Sequence, residues 1–329
     1  MTQLARVGIR GTGSCVPAKV LRNQDFEKMV DTSDEWITSR TGIKERRVVA
    51  AGESTATLAL EAGRRAIADA GLAPQDIDVV MVATVTPDNQ FPSTACKIQA
   101  LLGATRAAAF DISAACTGFL YGMTVARSLI ASGAAKNILL IGAETLSRIV
   151  DYSDRTSCIL FGDGAGAAVL SSEFTRGEVL PSRIFADGSG YEVMWIRTGG
   201  SLERPTPELM AAGHHFMRIR GREVYKFAVS KMVELVEEQV KANPDLELGF
   251  VIPHQVNLRI IESARERLGI PAERIYVNIE KYGNTSAASI PIAFDEAVRS
   301  GVLDSSRGKL VVFCAFGAGL TWGSGALRW

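Results

Sequence analysis

Short apolar runs alternate along the chain with stretches whose apolar positions recur every three to four residues. This pattern predicts strands and helices in turn. Val79–Ala83, Ile138–Ile141, Phe250–Ile252 and Leu310–Phe313 read as strands. Ala107–Ile112 reads as a further short, buried strand, and Leu120–Ile130, stopped by Gly133, as a helix. The order is that of an α/β protein.

The two halves of the chain echo one another. Asp76-Ile77-Asp78 leads into the first of these strands and Asp245-Leu246-Glu247 into Leu248–Ile252, an offset of 169 (245 − 76). A helix ending Ala131-Ser132-Gly133 is followed by Lys136 and an apolar strand. A second, ending Arg299-Ser300-Gly301, is followed by Lys309 and an apolar strand, an offset of 168 (301 − 133). A shared offset of half the chain reads as an internal duplication, although Ser-Gly helix ends and acidic approaches also occur in α/β proteins without one. The duplication divides the chain into residues 1–173 and 174–329. It puts Cys116 and Asn284 at equivalent strand-to-helix corners, since 284 − 116 = 168. His254 follows a strand end, and carboxyl ends of strands are where α/β sheets gather ligands. Cys116, His254 and Asn284 are therefore expected to converge.

Cys116 lies in Ala114-Ala115-Cys116-Thr117-Gly118, between a strand and a helix. Helix N-termini present unpaired N–H groups and a positive dipole end, which favour thiolate, and small neighbours admit a substrate. Two readings stay open on this window: an activated nucleophile, or a small buried hydrophobe. Taken singly, His254 reads equally as a structural histidine and Asn284 as a helix cap.

Composition narrows the setting. The 329 residues are 47% hydrophobic, with 36 Lys+Arg against 36 Asp+Glu, so bulk charge gives no reason to expect nucleic acid or a membrane surface. No apolar run has the length of a spanning helix. The five cysteines are scattered without metal spacing and the three histidines have no matching ligand set, so no metal site is expected and a reduced, cytoplasmic setting is. Gly11-Thr12-Gly13 and Gly162-Asp163-Gly164-Ala165-Gly166-Ala167 recur as glycine motifs. The second runs into the strand-like Ala167–Ser171 rather than a helix, so nicotinamide binding is rejected.

Several segments in this order resemble the beta-ketoacyl-acyl-carrier-protein synthase III family of the thiolase superfamily. They are Asp31–Ile37 with Arg40–Ile43, Phe91-Pro92-Ser93, Ala114–Gly118, Asp154-Arg155, Phe161–Gly166, Pro253–Asn257, Tyr282–Ser286 and Phe316–Trp322. Cysteine with one His and one Asn, rather than two His or a second cysteine, points to the initiating branch. Cys314, inside the apolar run Leu310–Phe316, reads as core.

The resemblance implies a thiolase-like α/β fold of two duplicated halves, with stacked mixed sheets and helices in layers (αβαβα). It implies a cytoplasmic homodimer that starts fatty acid synthesis by a decarboxylating Claisen condensation. A short acyl group, acetyl first among them, passes from coenzyme A to Cys116. The enolate of malonyl-acyl-carrier protein then attacks it. Coenzyme A enters as substrate and no cofactor is implied.

His254 and Asn284 would donate to the enolate oxygen, and the backbone N–H groups of Cys116 and Ala318 to the thioester oxygen. Trp36 and Arg155 would sandwich the adenine, Arg40 meet a phosphate and Asn257 the pantetheine arm. Phe91, reaching across the dimer, and Phe316 would bound the acyl pocket. Gly221, Lys226 and Arg259, with Arg222 and Arg267 adding charge, would dock the acidic carrier protein. The plainer readings are a core indole for Trp36, solvated ion pairs for the basic residues and a loop anchor for Phe91. Other functions on these residues are a pathway-specific starter or acyl-transfer enzyme, a Cys-His hydrolase and a non-catalytic binding subunit.

Overall fold

The computed structural model describes residues 4–329, apart from the side chain of Arg222. Ten strands form one hydrogen-bonded sheet. β1 (Gly8–Cys15), β2 (Val79–Ala83), β3 (Ala108–Ile112), β4 (Asn137–Thr145) and β5 (Asp163–Ser171) come first in the chain. β6 (Glu178–Val179), β7 (Arg183–Ala186), β8 (Leu248–Pro253), β9 (Leu310–Gly317) and β10 (Thr321–Arg328) follow. The spatial order is β8-β9-β10-β6-β1-β5-β4-β2-β3, with β7 on β10. β2 runs parallel to β3 and β4, and β8 parallel to β9; the other pairs are antiparallel. The short β6 joins two mixed sheets, pairing Glu178 with Gly8 of β1 and Val179 with Leu327 of β10.

The longer helices are α1 (Asp34–Thr41), α2 (Thr55–Asp69), α3 (Thr94–Leu102), α4 (Gly118–Ala131), α5 (Gly221–Ala242), α6 (Leu258–Leu268) and α7 (Ser289–Arg299). Their apolar faces make five layers. Leu120 and Met123 of α4 and Ile290 and Phe294 of α7 fill the middle, between Met81 and Leu140 of one sheet and Phe250 and Phe313 of the other. Ala62 of α2 and Ile98 of α3 cover the first sheet from outside, and Leu235 of α5 and Ile261 of α6 cover the second. Side chains alternate across a strand. In β4, Ile138 and Leu140 therefore face the middle layer, and Leu139 and Ile141 the outer one. Burial on both faces explains the unbroken apolar run read there.

Two expectations need correcting. Ala108–Ile112 is a strand, but it is the edge of the sheet, and Ala108 and Phe110 are exposed. The equivalence of Cys116 with Asn284 also shifts. α4 and α7 are each preceded by a single 3₁₀ turn, Ala115–Thr117 and Ser286–Ala288. Each turn opens on a non-glycine residue in the left-handed region, Ala115 (φ 46°) and Ser286 (φ 50°). Matching these gives an offset of 171 (286 − 115), so the counterpart of Cys116 is Ala287 and that of Asn284 is Ser113. α4 has 14 residues and α7 has 11, so an offset of 171 at the helix starts becomes 168 at their ends. The sequence comparison read it at the ends.

Candidate active site

Cys116 sits in the turn that leads into α4 and is 6% exposed. Gly317, at the end of β9, closes against it. A Cβ at Gly317 would lie 2.9 Å from Cys116 N and 3.2 Å from Cys116 Cβ, so this glycine is what lets the two corners meet. The helix start expected to favour thiolate is present. Burial acts the other way: it pushes the thiol up to about 12, and nearby Glu144 adds to the rise. The resting nucleophile is a thiol that must lose its proton during the reaction.

His254, 1% exposed, follows β8. Its Nδ1 lies 2.6 Å from Ser289 Oγ, and that oxygen accepts the Gln255 N–H at 3.3 Å. With Ser289 donating its proton to Nδ1, the ring hydrogen resides on Nε2. Nε2 is buried without a partner. Burial lowers the imidazole to about 3, so it acts neutral, as an N–H donor. Asn284 Oδ1 accepts the Ser286 N–H at 2.8 Å, which fixes the amide so that its NH₂ is the presented end. Its backbone is held by Leu160 and Gly162. Two donors are thus set by their neighbours, the arrangement that stabilises an anion forming on a substrate oxygen.

Cys116, Ser286 and Ala318 open onto one cavity of about 430 Å³, whose apolar wall includes Leu146, Phe161 and Met217. A larger, open hollow of about 830 Å³ near Asp69 and Asp295 holds none of the candidate residues. Arg176 pairs with Asp69 there and Arg299 with Asp295.

The outlying candidates separate into groups. The guanidinium groups of Arg40 and Arg155 stand 5.8 Å and 5.4 Å from the half-buried Trp36 ring, and Arg155 is tied to Asp31. This makes an aromatic platform flanked by two cations. Asn257 caps α6 through Arg259 N and donates to the Arg40 carbonyl at 3.1 Å, so it positions Arg40. Phe316 is buried edge-on to His254, 5.8 Å away, rather than on the cavity wall. Phe91 is 86% exposed and does not line the cavity that holds Cys116. Gly221, Lys226, Arg259 and Arg267 are exposed on the packed pair α5 and α6. Among the described residues no cluster of His, Cys, Asp and Glu could hold a metal.

Glu144, Ser289 and Gly317 carry local geometry that the motif reading gave no role. Glu144 is a lone acid at the end of the apolar strand β4, and that break in an otherwise hydrophobic run is the signal that could have found it.

Residues 110–188 match the family described as 3-oxoacyl-[acyl-carrier-protein] synthase III and residues 241–329 its C-terminal part. The whole chain is 49% identical to a beta-ketoacyl-[acyl-carrier-protein] synthase III from Caldanaerobacter subterraneus subsp. tengcongensis, over 99% of that protein. A 3-oxoacyl-[acyl-carrier-protein] synthase III structure from Aquifex aeolicus VF5 superposes with a TM-score of 0.88 at 47% identity, covering 98% of this chain and all of that one. The priming beta-ketosynthase of the R1128 polyketide pathway superposes with a TM-score of 0.89 at 32% identity, covering 99% and 97%.

Proposed function

Because this chain belongs to the beta-ketoacyl-acyl-carrier-protein synthase III family, we propose that Cys116, His254 and Asn284 divide that family's reaction between them. The chain is an acyltransferase that initiates fatty acid synthesis. It condenses a short acyl-coenzyme A with malonyl-acyl-carrier protein, releasing coenzyme A and carbon dioxide and giving 3-ketoacyl-acyl-carrier protein.

In our reading the acyl group first moves to Cys116. The supporting observation is a buried thiol sharing its cavity with Ser286, together with two donors held by their neighbours: the unpartnered Nε2 of a neutral His254, packed on Phe316, and the NH₂ of Asn284, whose Oδ1 is taken by Ser286 N. Malonyl decarboxylation gathers negative charge on the thioester oxygen. Donors fixed in advance lower that barrier without taking up a proton. Acetyl is the first-choice primer. The apolar cavity beside Cys116 suits its methyl end, and coenzyme A would lie along Trp36, Arg40 and Arg155. Coenzyme A is substrate, and the chemistry calls for no resident cofactor. The acidic carrier protein would dock over Lys226 and Arg259.

A homodimer is supported by the open edge of β3, beside exposed Phe91, Leu101 and Phe110. The division at residues 173 and 174 falls between β5 and β6 and fits two duplicated halves. No helix among the described residues is long and apolar enough to cross a membrane, and all five cysteines are free. We place the enzyme in the cytoplasm, where those thiols stay reduced.

The likeness to a priming ketosynthase of a polyketide pathway favours one second reading, a pathway-specific starter enzyme. Intact-protein mass spectrometry over a panel of acyl-coenzyme A primers separates the two.

The division of labour has its own test. Cys116→Ala is expected to take up no acyl group. His254→Ala and Asn284→Ala should lose decarboxylation by about 10²–10³ while still acylating Cys116. Equal loss in both half-reactions would refute it.

A further inference from the structure

Glu144 is fully buried, yet no cation among the described residues meets it: its carboxylate is held by neutral groups from two segments. Oε2 accepts from Thr86 Oγ1 at 2.6 Å, Val85 N at 3.1 Å and Thr84 Oγ1 at 3.2 Å. Oε1 accepts from Ser286 Oγ at 3.1 Å. Ser286 belongs to the left-handed turn beside Asn284 and opens onto the cavity that holds Cys116. Gly142 makes this possible, because a Cβ there would collide with the Ala287 carbonyl oxygen and push the turn off β4.

We propose that Glu144 is the internal proton acceptor for Cys116, reached through the Ser286 hydroxyl, during acyl transfer from coenzyme A. The inference rests on the reading of Cys116 as the acyl carrier. The single proton of the Ser286 hydroxyl is directed to Glu144 Oε1, and Ser286 lines the same cavity as Cys116, so in the reacting complex its oxygen is free to accept from the thiol. In the step itself, the thiol proton passes to Ser286 Oγ while the Ser286 proton passes to Glu144 Oε1. The sulfur lone pair forms the bond to the thioester carbon. The carbon–sulfur bond to coenzyme A then breaks, and its electrons leave on the coenzyme A sulfur. That sulfur takes back one proton from Glu144 through Ser286, which restores the carboxylate.

The surroundings favour Glu144 for this work. The ionisable group facing it from the Ala115–Thr117 turn is Cys116 itself. From the segment 84–86 and from the Ser286 turn only neutral groups face it. Asp163 on β5 pairs beside Thr145, but its carboxylate is taken by Val49 N and by Ser147. His254 is engaged with Ser289 and burial holds it far from taking a proton. Burial also raises Glu144 to about 7, which brings its proton affinity closer to that of the thiol.

The test follows acyl-enzyme formation from acetyl-coenzyme A by quenched intact-protein mass measurement, from mildly acidic to alkaline pH, for the full chain and for E144Q and S286A. S286A leaves the carboxylate in place. Its backbone conformation suits alanine, because Ala115 occupies the matching position at φ 46°. Both variants should acylate about 100-fold more slowly at pH 7, the loss typical of a missing general base. The deficit should shrink as pH rises and hydroxide takes over, while malonyl-carrier-protein decarboxylation should fall far less than acylation. The unaltered enzyme should lose acylation rate as pH falls through about 7.

Wild-type acylation rates in the variants overturn the relay. Equal loss in both half-reactions also overturns it and makes Glu144 a scaffold only. An acyl group found elsewhere than Cys116 in the unaltered enzyme overturns the underlying reading, and the relay with it.

Discussion

Gly317→Ala is a sharp probe of the site because it adds one methyl group and demands no new backbone conformation. Gly317 is not among the glycines of positive φ, so the effect is steric alone. The added Cβ would stand 2.9 Å from Cys116 N, 3.2 Å from Cys116 Cβ and 3.4 Å from Ala115 Cβ. Carbon contacts relax near 3.5–4.0 Å, so the Cys116 corner must withdraw by about 0.5 Å. The obstructing atoms belong to the turn itself, not to the end of a flexible chain. A displacement of about 1 Å in a reacting geometry costs on the order of 10²-fold, so half of it predicts roughly tenfold. The shift also moves the Cys116 N–H, which the resemblance assigns as a donor to the thioester oxygen, and full loss of one such donor costs about 10²–10³-fold. The expected fall in acylation rate is therefore about 10- to 100-fold. Overpacking should remove about 1–3 kcal/mol of stability. Acyl-enzyme formation by quenched mass measurement reads the first effect and denaturant unfolding the second. Gly200→Ala is the control, since its Cβ would meet nothing within 4 Å. If Gly317→Ala acylates as fast as the control, the close approach is not what positions the nucleophile.

Further outcomes can be checked directly. Burial holds the folded His254 pKa to about 3, below its ordinary 6.5, so the folded state resists protonation while the unfolded chain accepts it. The stabilising difference is whole above 6.5 and is lost as pH falls from there toward 3, at up to about 1.4 kcal/mol per pH unit. Unfolding of wild type and His254→Ala at pH 7, 6 and 5 should converge on the acid side, and parallel curves would refute it. Arg46 is fully buried over Phe26 and donates to Asn23 Oδ1 and the Ile159 carbonyl. Arg46→Ala strands those acceptors and should destabilise by about 1–3 kcal/mol for each one left unpaired, read in a denaturant titration. Phe91→Thr should gain on hexanoyl- and octanoyl-coenzyme A relative to acetyl-coenzyme A; an unchanged order of primers would return Phe91 to a loop anchor.

Much of this was legible in the sequence because buried strands write themselves as apolar runs. β2, β4, β8 and β9 contain the runs read as strands, and α4 begins two residues before its predicted span. The edge strand β3 was misread for a physical reason. Apolar residues exposed at a sheet edge look, in sequence, like those covered by the chain's own core. The duplication was visible, but its register was not. A helix shortened by three residues hides that Ala115 matches Ser286, and only backbone angles reveal it. The helix start at Cys116 could be read, whereas the burial that opposes thiolate depends on Gly317, which lies 201 residues further on. Glu144 went unnoticed because one acid in an apolar strand says nothing of the hydroxyls around it until the chain is folded.

The contact between Cys116 and Gly317 also has a consequence for how the enzyme comes into being. The nucleophile's turn and α4 are local structures that can form early, but the wall behind the thiol arrives only with β9. Contacts of such long sequence separation are among the slowest to form. A chain still folding, or still being synthesised with β9 unborn, carries its cysteine on an unbacked turn. Such a chain should not capture an acyl group from coenzyme A. Acylation of Cys116 would then report on the completed molecule, and pulse-labelling with acyl-coenzyme A during refolding would time the last step of assembly rather than the first.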